Sequence, residues 1–219
     1  MQCYASMCGE GRALRGLRAH GWGVVISRND RRDPKGLPFW IDPGTYPDFC
    51  ATPRRPWDER AEGQYEGMLD RWGARADFVV LPDIVAGGLP SLDLSMRWQN
   101  RVLSVASLVL IAVQDGMEHE HLAPLVGPNV GIFLGGSTKW KLERMRYWGD
   151  FCHERGCYYH VARVNTEKRM AMANAAGAHS IDGSSAVKFS CTIGMLDRAS
   201  RQQDLLAPAR LACAMRAVG

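Results

Sequence analysis

Short apolar segments alternate with helical segments along nearly the whole chain. The clearest apolar segment is 108–114 (LVLIAVQ), a continuous run typical of a strand buried on both faces of a sheet. Strands that are each followed by a helix pair in parallel, because the helix returns the chain to the end of the sheet where the strand began. The alternation therefore predicts an α/β protein with a parallel sheet.

Eight segments have strand character, and most are followed by a helix. The predicted strands are 2–6, 23–27, 38–42, 77–83, 108–114, 131–136, 158–164 and a short one ending at Asp182. The predicted helices are 9–20, 57–72, 91–104, 117–126, 138–155, 165–176 and 201–217. Eight such units predict one compact (β/α)8 TIM barrel over 1–219. An open, doubly wound sheet is the alternative.

The composition indicates which broad classes of protein the chain resembles. The 219 residues are 46% hydrophobic, which suits one globular domain, and no run of 18 apolar residues predicts a membrane span. The N-terminus lacks the basic region and apolar core of a signal peptide. Seven irregularly spaced cysteines indicate reduced thiols in a cytoplasm. The net charge of +4 permits a nucleic-acid partner without requiring one.

Polar residues recur where the predicted strands end. Asp42, Asp83 and Asp182 each end a strand, Gln114 ends another, and Gly135-Gly136 follows a fifth. A single aspartate in such a place is usually a turn or cap residue. In a barrel, however, these ends meet at the one face where TIM-barrel chemistry occurs.

The residue types at these ends fit one kind of chemistry. Asp83 and Gln114 offer acceptors and an amide donor, which suit the edge of a purine-like heterocycle. Two further carboxylates fit a reaction at an acetal-like carbon, where one attacks or stabilises an oxocarbenium ion and the other moves protons. Glycines allow the backbone to approach a flat ligand.

Several segments, in order, resemble those of the tRNA-guanine transglycosylases. The segments are IDPGTY, ADFVVLPDIV followed by SMRWQNRV, then IAVQDG, IFLGGSTKWK and AAGAHSIDGSS, all within residues 38–189. The resemblance implies exchange of guanine at C1′ for a 7-deazaguanine. It also implies roles for residues at matching positions: Asp182 as the nucleophile, Asp42 as the general acid/base, and Asp83, Gln114, Gly135 and Gly136 as base-binding groups.

The chain departs from that family in two respects. Pro43 and Thr45 stand where the family has serine and glycine, and the family's zinc subdomain has no counterpart after Asp182. GIFLGGSTKWKL, HVARVNTEKR and GAHSIDGS are more similar to the short DpdA-type branch of bacteriophages and bacteria, which is associated with DNA. This likeness implies DNA as the substrate, with tRNA as the alternative, and the 7-cyano base as the incoming group. It also implies a cytoplasmic location, or the host cytoplasm for a phage-encoded chain.

Basic residues are clustered in the first quarter of the chain, including Arg31, and again near 139–146. They are either a solvated surface or contacts to a phosphate backbone. We predict Arg54, Arg55, Lys139 and Lys188 as nucleic-acid-binding residues. Trp40, Tyr46 and Trp140 either stack on a base or pack in the core. The cysteines and histidines of CHERGCYYH have no common zinc spacing, so we predict neither a metal nor a cofactor.

Two other functions compete with base exchange. A small phosphate-binding lyase or isomerase would explain the Gly135-Gly136 turn but would leave the aspartates without a shared purpose. A nucleic-acid-binding barrel without activity would not need both Asp42 and Asp182. The sequence does not indicate the oligomeric state.

Overall fold

Eight parallel strands close into a barrel in the computed structural model, which describes residues 1–30, 32–189 and 191–201. Each strand pairs with the next, and β1 pairs with β8. The strands are β1 Gln2–Ser6, β2 Gly23–Ser27, β3 Phe39–Asp42, β4 Val79–Val80, β5 Val109–Val113, β6 Val130–Leu134, β7 Tyr159–Val161 and β8 Ser180–Gly183. The prediction of a (β/α)8 TIM barrel is confirmed.

Helices occupy most of the connections. They are α1 Arg12–His20, α2 Thr45–Phe49, α3 Glu59–Trp72, α4 Leu89–Leu103, α5 His119–Leu122, α6 Thr138–Arg155, α7 Glu167–Ala175, α8 Ser185–Lys188 and α9 Ile193–Arg201, with a 3₁₀ turn at Gly73–Arg75. The connection from β2 to β3 has no helix among its described residues. Predicted features at Arg31 and at 202–217 lie outside the described residues.

Alternate strand residues face two separate apolar layers. One set, including Val24, Ile41 and Ile111, packs against the helices. The other set fills the barrel interior and contains Tyr4, Trp40, Phe78, Val80, Leu110 and Ala112, with Phe133 and Tyr158 beside them. Because side chains alternate along a strand, the next inward positions after Trp40 and Ala112 are Asp42 and Gln114. The barrel interior is therefore apolar in its lower part and polar at its mouth. The mouth is the end of the barrel at which the strands finish.

Aromatic rings close the interior beneath that mouth. Trp40 stacks on Phe78 with ring centres 5.2 Å apart, and Phe133 stacks on the His160 ring at 5.0 Å. Trp40 is almost completely buried in this layer. It is therefore a packing residue here, whereas Tyr46 is exposed. A ligand entering the mouth would rest above the aromatic layer.

The helices α4 and α7 begin differently from the sequence prediction. Ser91 does not cap α4, because Gly88 precedes the first turn and Ser91 is buried inside it. Asn165 does not cap α7, because Thr166 accepts the capping hydrogen bond from Arg169. Asn165 instead accepts backbone hydrogen bonds from Ser184 and Ser185. Both predicted caps are thus polar groups of the mouth, which sequence spacing alone does not reveal.

We expect Gly131→Ala to destabilise the barrel. A Cβ at Gly131 would lie 2.7 Å from Leu110 Cδ2 and even closer to the carbonyl oxygen of Tyr158. Such overpacking costs about 1–3 kcal/mol. Gly67→Ala in α3 is the control, because nothing lies within 4 Å of its Cβ and alanine favours helix. Urea unfolding should show a loss for the first variant and a small gain for the second; equal effects would contradict the packing described.

Candidate active site

Three aspartates lie together at the mouth of the barrel. Asp42 ends β3, Asp182 lies in β8, and Asp83 follows β4 by three residues. Each remains partly accessible. The charges of Asp83 and Asp182 both contribute to raising the pKa of Asp42, so both carboxyl groups are within electrostatic reach of Asp42.

Asp182 is held by one of its two carboxylate oxygens. His160 Nε2 and the backbone N–H of Arg163 both lie 3.1 Å from Oδ1. His160 is completely buried, and its Nδ1 lies 2.7 Å from the Ser180 hydroxyl. If Ser180 donates to Nδ1, His160 donates from Nε2 to Oδ1. Within the described residues no hydrogen bond reaches Oδ2 of Asp182, which is left for a ligand. The Asp182 side chain retains 17% of its exposure.

Burial lowers the pKa of His160, and the neighbouring Asp182 only partly offsets the effect. The imidazole is therefore neutral near pH 7. A neutral imidazole with a fixed tautomer donates a hydrogen bond to a carboxylate without transferring a proton to it. This arrangement keeps the Asp182 carboxylate oriented.

The turn after Asp42 is fixed by a buried arginine. Gly44 donates its N–H to Asp42 Oδ1. Arg28 donates through Nε to the carbonyl of Pro43 at 2.6 Å and pairs with the buried Asp48. These contacts fix the turn at Pro43 and present Asp42 at the mouth.

Asp83 belongs to a hydrogen-bonded network. Thr45 donates its hydroxyl to Asp83 Oδ1, and Gln114 Nε2 donates to Oδ2 at 2.7 Å. Gln114 also lies 3.3 Å from Ser91 Oγ, and its Oε1 accepts from Gly87 N–H at 3.2 Å. Gln114 therefore orients Asp83 and the following loop. A carboxylate accepts up to about four hydrogen bonds, so Asp83 keeps capacity for a ligand.

Burial raises the pKa of Asp42 and of Asp83. The pKa of Asp42 rises to about 7, mainly by desolvation and then by the neighbouring carboxylates, against the Gly44 hydrogen bond. The pKa of Asp83 rises to about 6 by desolvation, against hydrogen bonds from Thr45 and Gln114. Asp42 thus exchanges a proton near neutral pH, as a general acid/base requires.

The glycine turn after β6 is packed internally. The Gly135 N–H donates to the Val113 carbonyl at 3.0 Å. Ser137 donates through its N–H and hydroxyl to Asp115 at 2.6 and 2.7 Å. A Cβ at Gly136 would lie 2.6 Å from that same carboxylate and 2.7 Å from Trp140. Glycine is required there for close packing, and Asp115 already takes the Ser137 donors that a phosphate would use.

The predicted nucleic-acid-binding residues all lie on connections that leave the mouth. Arg54 and Arg55 follow α2, Lys139 begins α6, and Lys188 ends α8. All four are exposed. Arg55 Nε lies 3.3 Å from Asp48 Oδ1, and Arg54 lies over the Phe49 ring.

Sequence reasoning missed the support that His160, Arg28, Thr45 and Ser91 give to the aspartates. The alternation from Tyr158 places His160 inside the barrel, and this was the available signal. The contacts of Arg28 and Ser91 depend on loops that strand periodicity does not describe. No set of three or more His, Cys, Asp or Glu side chains within the described part of the chain is arranged to hold a metal.

The chain matches no protein-family model and no curated protein. The resemblance to the transglycosylases therefore stays a prediction. Among the helices of the described residues, none combines the length and apolar character needed to cross a membrane.

We expect Asp42→Asn to stabilise the protein at pH 8. The folded-state pKa of about 7 exceeds the ordinary value of 3.8, so ionising Asp42 costs folding free energy as the pH rises from about 4 to 7. Asparagine avoids that cost and still accepts from Gly44. The gain should be roughly 1–3 kcal/mol at pH 8, shrink below pH 7 and disappear near pH 4.

Urea unfolding from pH 4 to pH 8 measures this difference. Asp93→Asn is the control because Asp93 is exposed on α4, away from the mouth aspartates. A pH-independent difference between Asp42→Asn and the native protein would show that Asp42 ionises normally.

Proposed function

We propose that the protein is a base-exchanging glycosyltransferase that replaces guanine in DNA with a 7-deazaguanine. We further propose 7-cyano-7-deazaguanine as the incoming base and a covalent aspartyl-glycosyl intermediate. One observation carries the proposal. Asp182 is held through Oδ1 with Oδ2 left for attack, and Asp42, a carboxyl group with a pKa of about 7, lies within its electrostatic reach.

In the first step, Asp182 Oδ2 attacks C1′ of the target nucleotide. The bond between C1′ and N9 breaks, and its electron pair leaves with the guanine. Protonated Asp42 gives its proton to the departing base, so guanine leaves neutral and Asp42 becomes a carboxylate. A carboxylate nucleophile with a second carboxyl group as the acid is the arrangement of retaining glycosidases.

In the second step, the incoming base replaces Asp182. Asp42 now accepts the N9 proton of the 7-deazaguanine, and N9 attacks C1′. The bond from C1′ to Asp182 breaks, and its electrons return to the carboxylate. One base gains a proton and the other loses one, so the cycle needs no oxidant, reductant or cofactor. The pKa of Asp42 near 7 supports both directions of transfer at neutral pH.

Asp83 is the group we assign to base recognition. Its two oxygens are fixed by Thr45 and Gln114, which supports a rigid acceptor pair for the N–H groups on the pairing edge of guanine. Both the outgoing and the incoming base carry that edge. The site therefore accepts both bases in turn, as an exchange reaction requires.

DNA is the polymer we propose, with tRNA as the alternative. The support is the likeness of three segments to the DNA-associated branch, together with four exposed cations on the mouth connections. A guanine in duplex DNA must leave the stack, at a cost of a few kcal/mol. Tyr46 is 48% exposed and in a position to stack on nucleotide bases, which would offset part of that cost.

We expect Asp182→Ala to abolish exchange and adduct formation while the fold is retained. Exchange of radiolabelled guanine into single-stranded DNA, duplex DNA and tRNA measures the activity, and denaturing gels with mass spectrometry detect the adduct. The rate should fall on the order of 10⁴-fold or more, because water does not replace an enzyme-held nucleophile. Asp93→Ala is the control.

The same assay decides the substrate. Incorporation of labelled guanine into DNA supports the proposed substrate. Incorporation into tRNA alone would show that tRNA, not DNA, is the substrate. Substantial exchange by Asp182→Ala would refute the assignment of Asp182 as the nucleophile. No exchange into any polymer by the native protein would refute the proposed base-exchange function.

We expect Asp83→Ala to weaken binding of the incoming base more than it changes the fold. Losing the charged acceptor should raise the Kd for 7-cyano-7-deazaguanine about ten- to a hundredfold. Isothermal titration calorimetry measures this value. Thr45→Val is the graded comparison, because it removes a donor to Asp83 but keeps the carboxylate. Native affinity in Asp83→Ala would exclude Asp83 from recognition.

A further inference from the structure

Arg163 occupies an unusual backbone position beside the nucleophile. Its φ is 57°, in the left-handed region that favours glycine, and its N–H donates to Asp182 Oδ1. A side chain in this conformation costs about 1 kcal/mol or more relative to glycine. An arginine held there at such a cost points to a role for its side chain.

The guanidinium group of Arg163 lies across one side of the mouth. It donates through Nη2 to the carbonyl of Gly136 and lies 5.0 Å from the centre of the Tyr46 ring. The residue is half-buried. Among the described residues it forms no ion pair, in contrast to Arg28, which pairs with Asp48. A guanidinium has five N–H donors, so several remain for a ligand.

A second cation without a carboxylate partner lies close by. Lys141 of α6 is 1% exposed and donates through Nζ to the carbonyl of Ala162, the residue before Arg163. It too is absent from the ion pairs within the described part of the chain. Burial, with a smaller contribution from the charge of Arg163, lowers the pKa of Lys141 to about 8 against the opposing charge of Asp182. The two cations are close enough to repel each other.

The mouth therefore carries both carboxyl groups and cations, within electrostatic reach of one another. Asp42, Asp83 and Asp182 provide negative charge where the sugar and base would react, and Arg163 and Lys141 provide positive charge at the ends of β6 and β7. A nucleotide has the complementary arrangement, with a neutral base and sugar joined to an anionic phosphate. Arginine binds phosphate oxygens in pairs and stacks on aromatic rings, as this one does on Tyr46.

We propose that Arg163, supported by the charge of Lys141, binds the phosphodiester next to the target nucleotide. This inference rests on the proposed function for the identity of the polymer. The phosphate replaces the Gly136 carbonyl as the acceptor of the guanidinium N–H groups. Binding thereby draws the sugar toward Asp182, whose Oδ1 is held by the backbone of the same residue.

The substitution Arg163→Gly tests the side chain separately from the fold. Glycine removes the guanidinium, keeps the N–H that donates to Asp182, and relieves the backbone cost, so the melting temperature should not fall. Lys35→Gly is the matched control, because Lys35 is also a cation at positive φ, 59°, but pairs with Glu10. A lower melting temperature for Arg163→Gly would indicate a structural role instead.

Fluorescence anisotropy with a labelled single-stranded oligonucleotide containing one guanine measures binding at several salt concentrations. Arg163→Gly should weaken binding about tenfold or more and reduce the slope of log K against log salt by about 0.7. Competition by 2′-deoxyguanosine, which has no phosphate, should be unchanged. Lys35→Gly should behave like the native protein.

Unchanged oligonucleotide affinity in Arg163→Gly, or an equal loss for deoxyguanosine, would overturn the proposal. If Arg163→Gly lost affinity equally for 2′-deoxyguanosine 5′-monophosphate and for the oligonucleotide, the site would bind the phosphate of a free nucleotide. That result would overturn the proposal that it binds a phosphodiester. Labelled-guanine exchange by the native protein tests the proposed function separately. A protein that exchanges bases but binds DNA independently of Arg163 would refute this inference alone.

Discussion

The constraint on which the candidate site depends is the collection of three carboxyl groups in one partly desolvated barrel mouth. Like charges at close range oppose one another, and desolvation penalises each charge separately. Each of the three aspartates has a different set of hydrogen-bond donors. Asp182 accepts from His160 and from a backbone N–H, Asp83 accepts from Thr45 and Gln114, and Asp42 accepts from Gly44, its one hydrogen-bond donor among the described residues. Desolvation is the main cause that raises the pKa of Asp42 to about 7, and the neighbouring carboxylates add to it. Burial and unequal hydrogen bonding together give these identical side chains different environments.

The aromatic interior supports this division from below. Trp40, Phe78, Phe133 and His160 fill the barrel with rings in contact, which excludes water from the lower side of the mouth. His160 connects the apolar interior to the polar mouth. Its ring stacks among the interior aromatic rings, and its nitrogens contact Ser180 and Asp182. A histidine so completely buried donates a hydrogen bond to Asp182 but resists becoming charged. The packing that closes the barrel thus also keeps the His160 ring neutral.

Much of this arrangement follows from strand periodicity and from the order of elements. Apolar runs separated by helical segments predicted the eight-stranded barrel, and the polar residues at 42, 114 and 182 occupy inward-facing positions at the strand ends. Asp83 and Arg163 lie beyond β4 and β7, where alternation no longer defines a direction. Their placement depends on tertiary contacts, such as Thr45 with Asp83 and the Arg163 guanidinium with Gly136. The buried pair of Arg28 and Asp48 joins a loop to a short helix that carries little periodic signal. Loops that turn polar groups inward were therefore the part that sequence pattern did not describe.

The two residues that differ from the resembled family, Pro43 and Thr45, both make hydrogen bonds near the candidate site. Thr45 supplies the hydroxyl that binds Asp83, and the carbonyl of Pro43 is the acceptor for Arg28. One short segment, from Asp42 to Thr45, consequently joins the proposed acid/base to the proposed base-binding carboxylate. A shift of this segment would move both groups together, because Asp42 precedes the turn and Thr45 follows it. In the proposed exchange, this coupling keeps the base-recognition carboxylate and the proton-transfer group in a fixed relation for two successive bases.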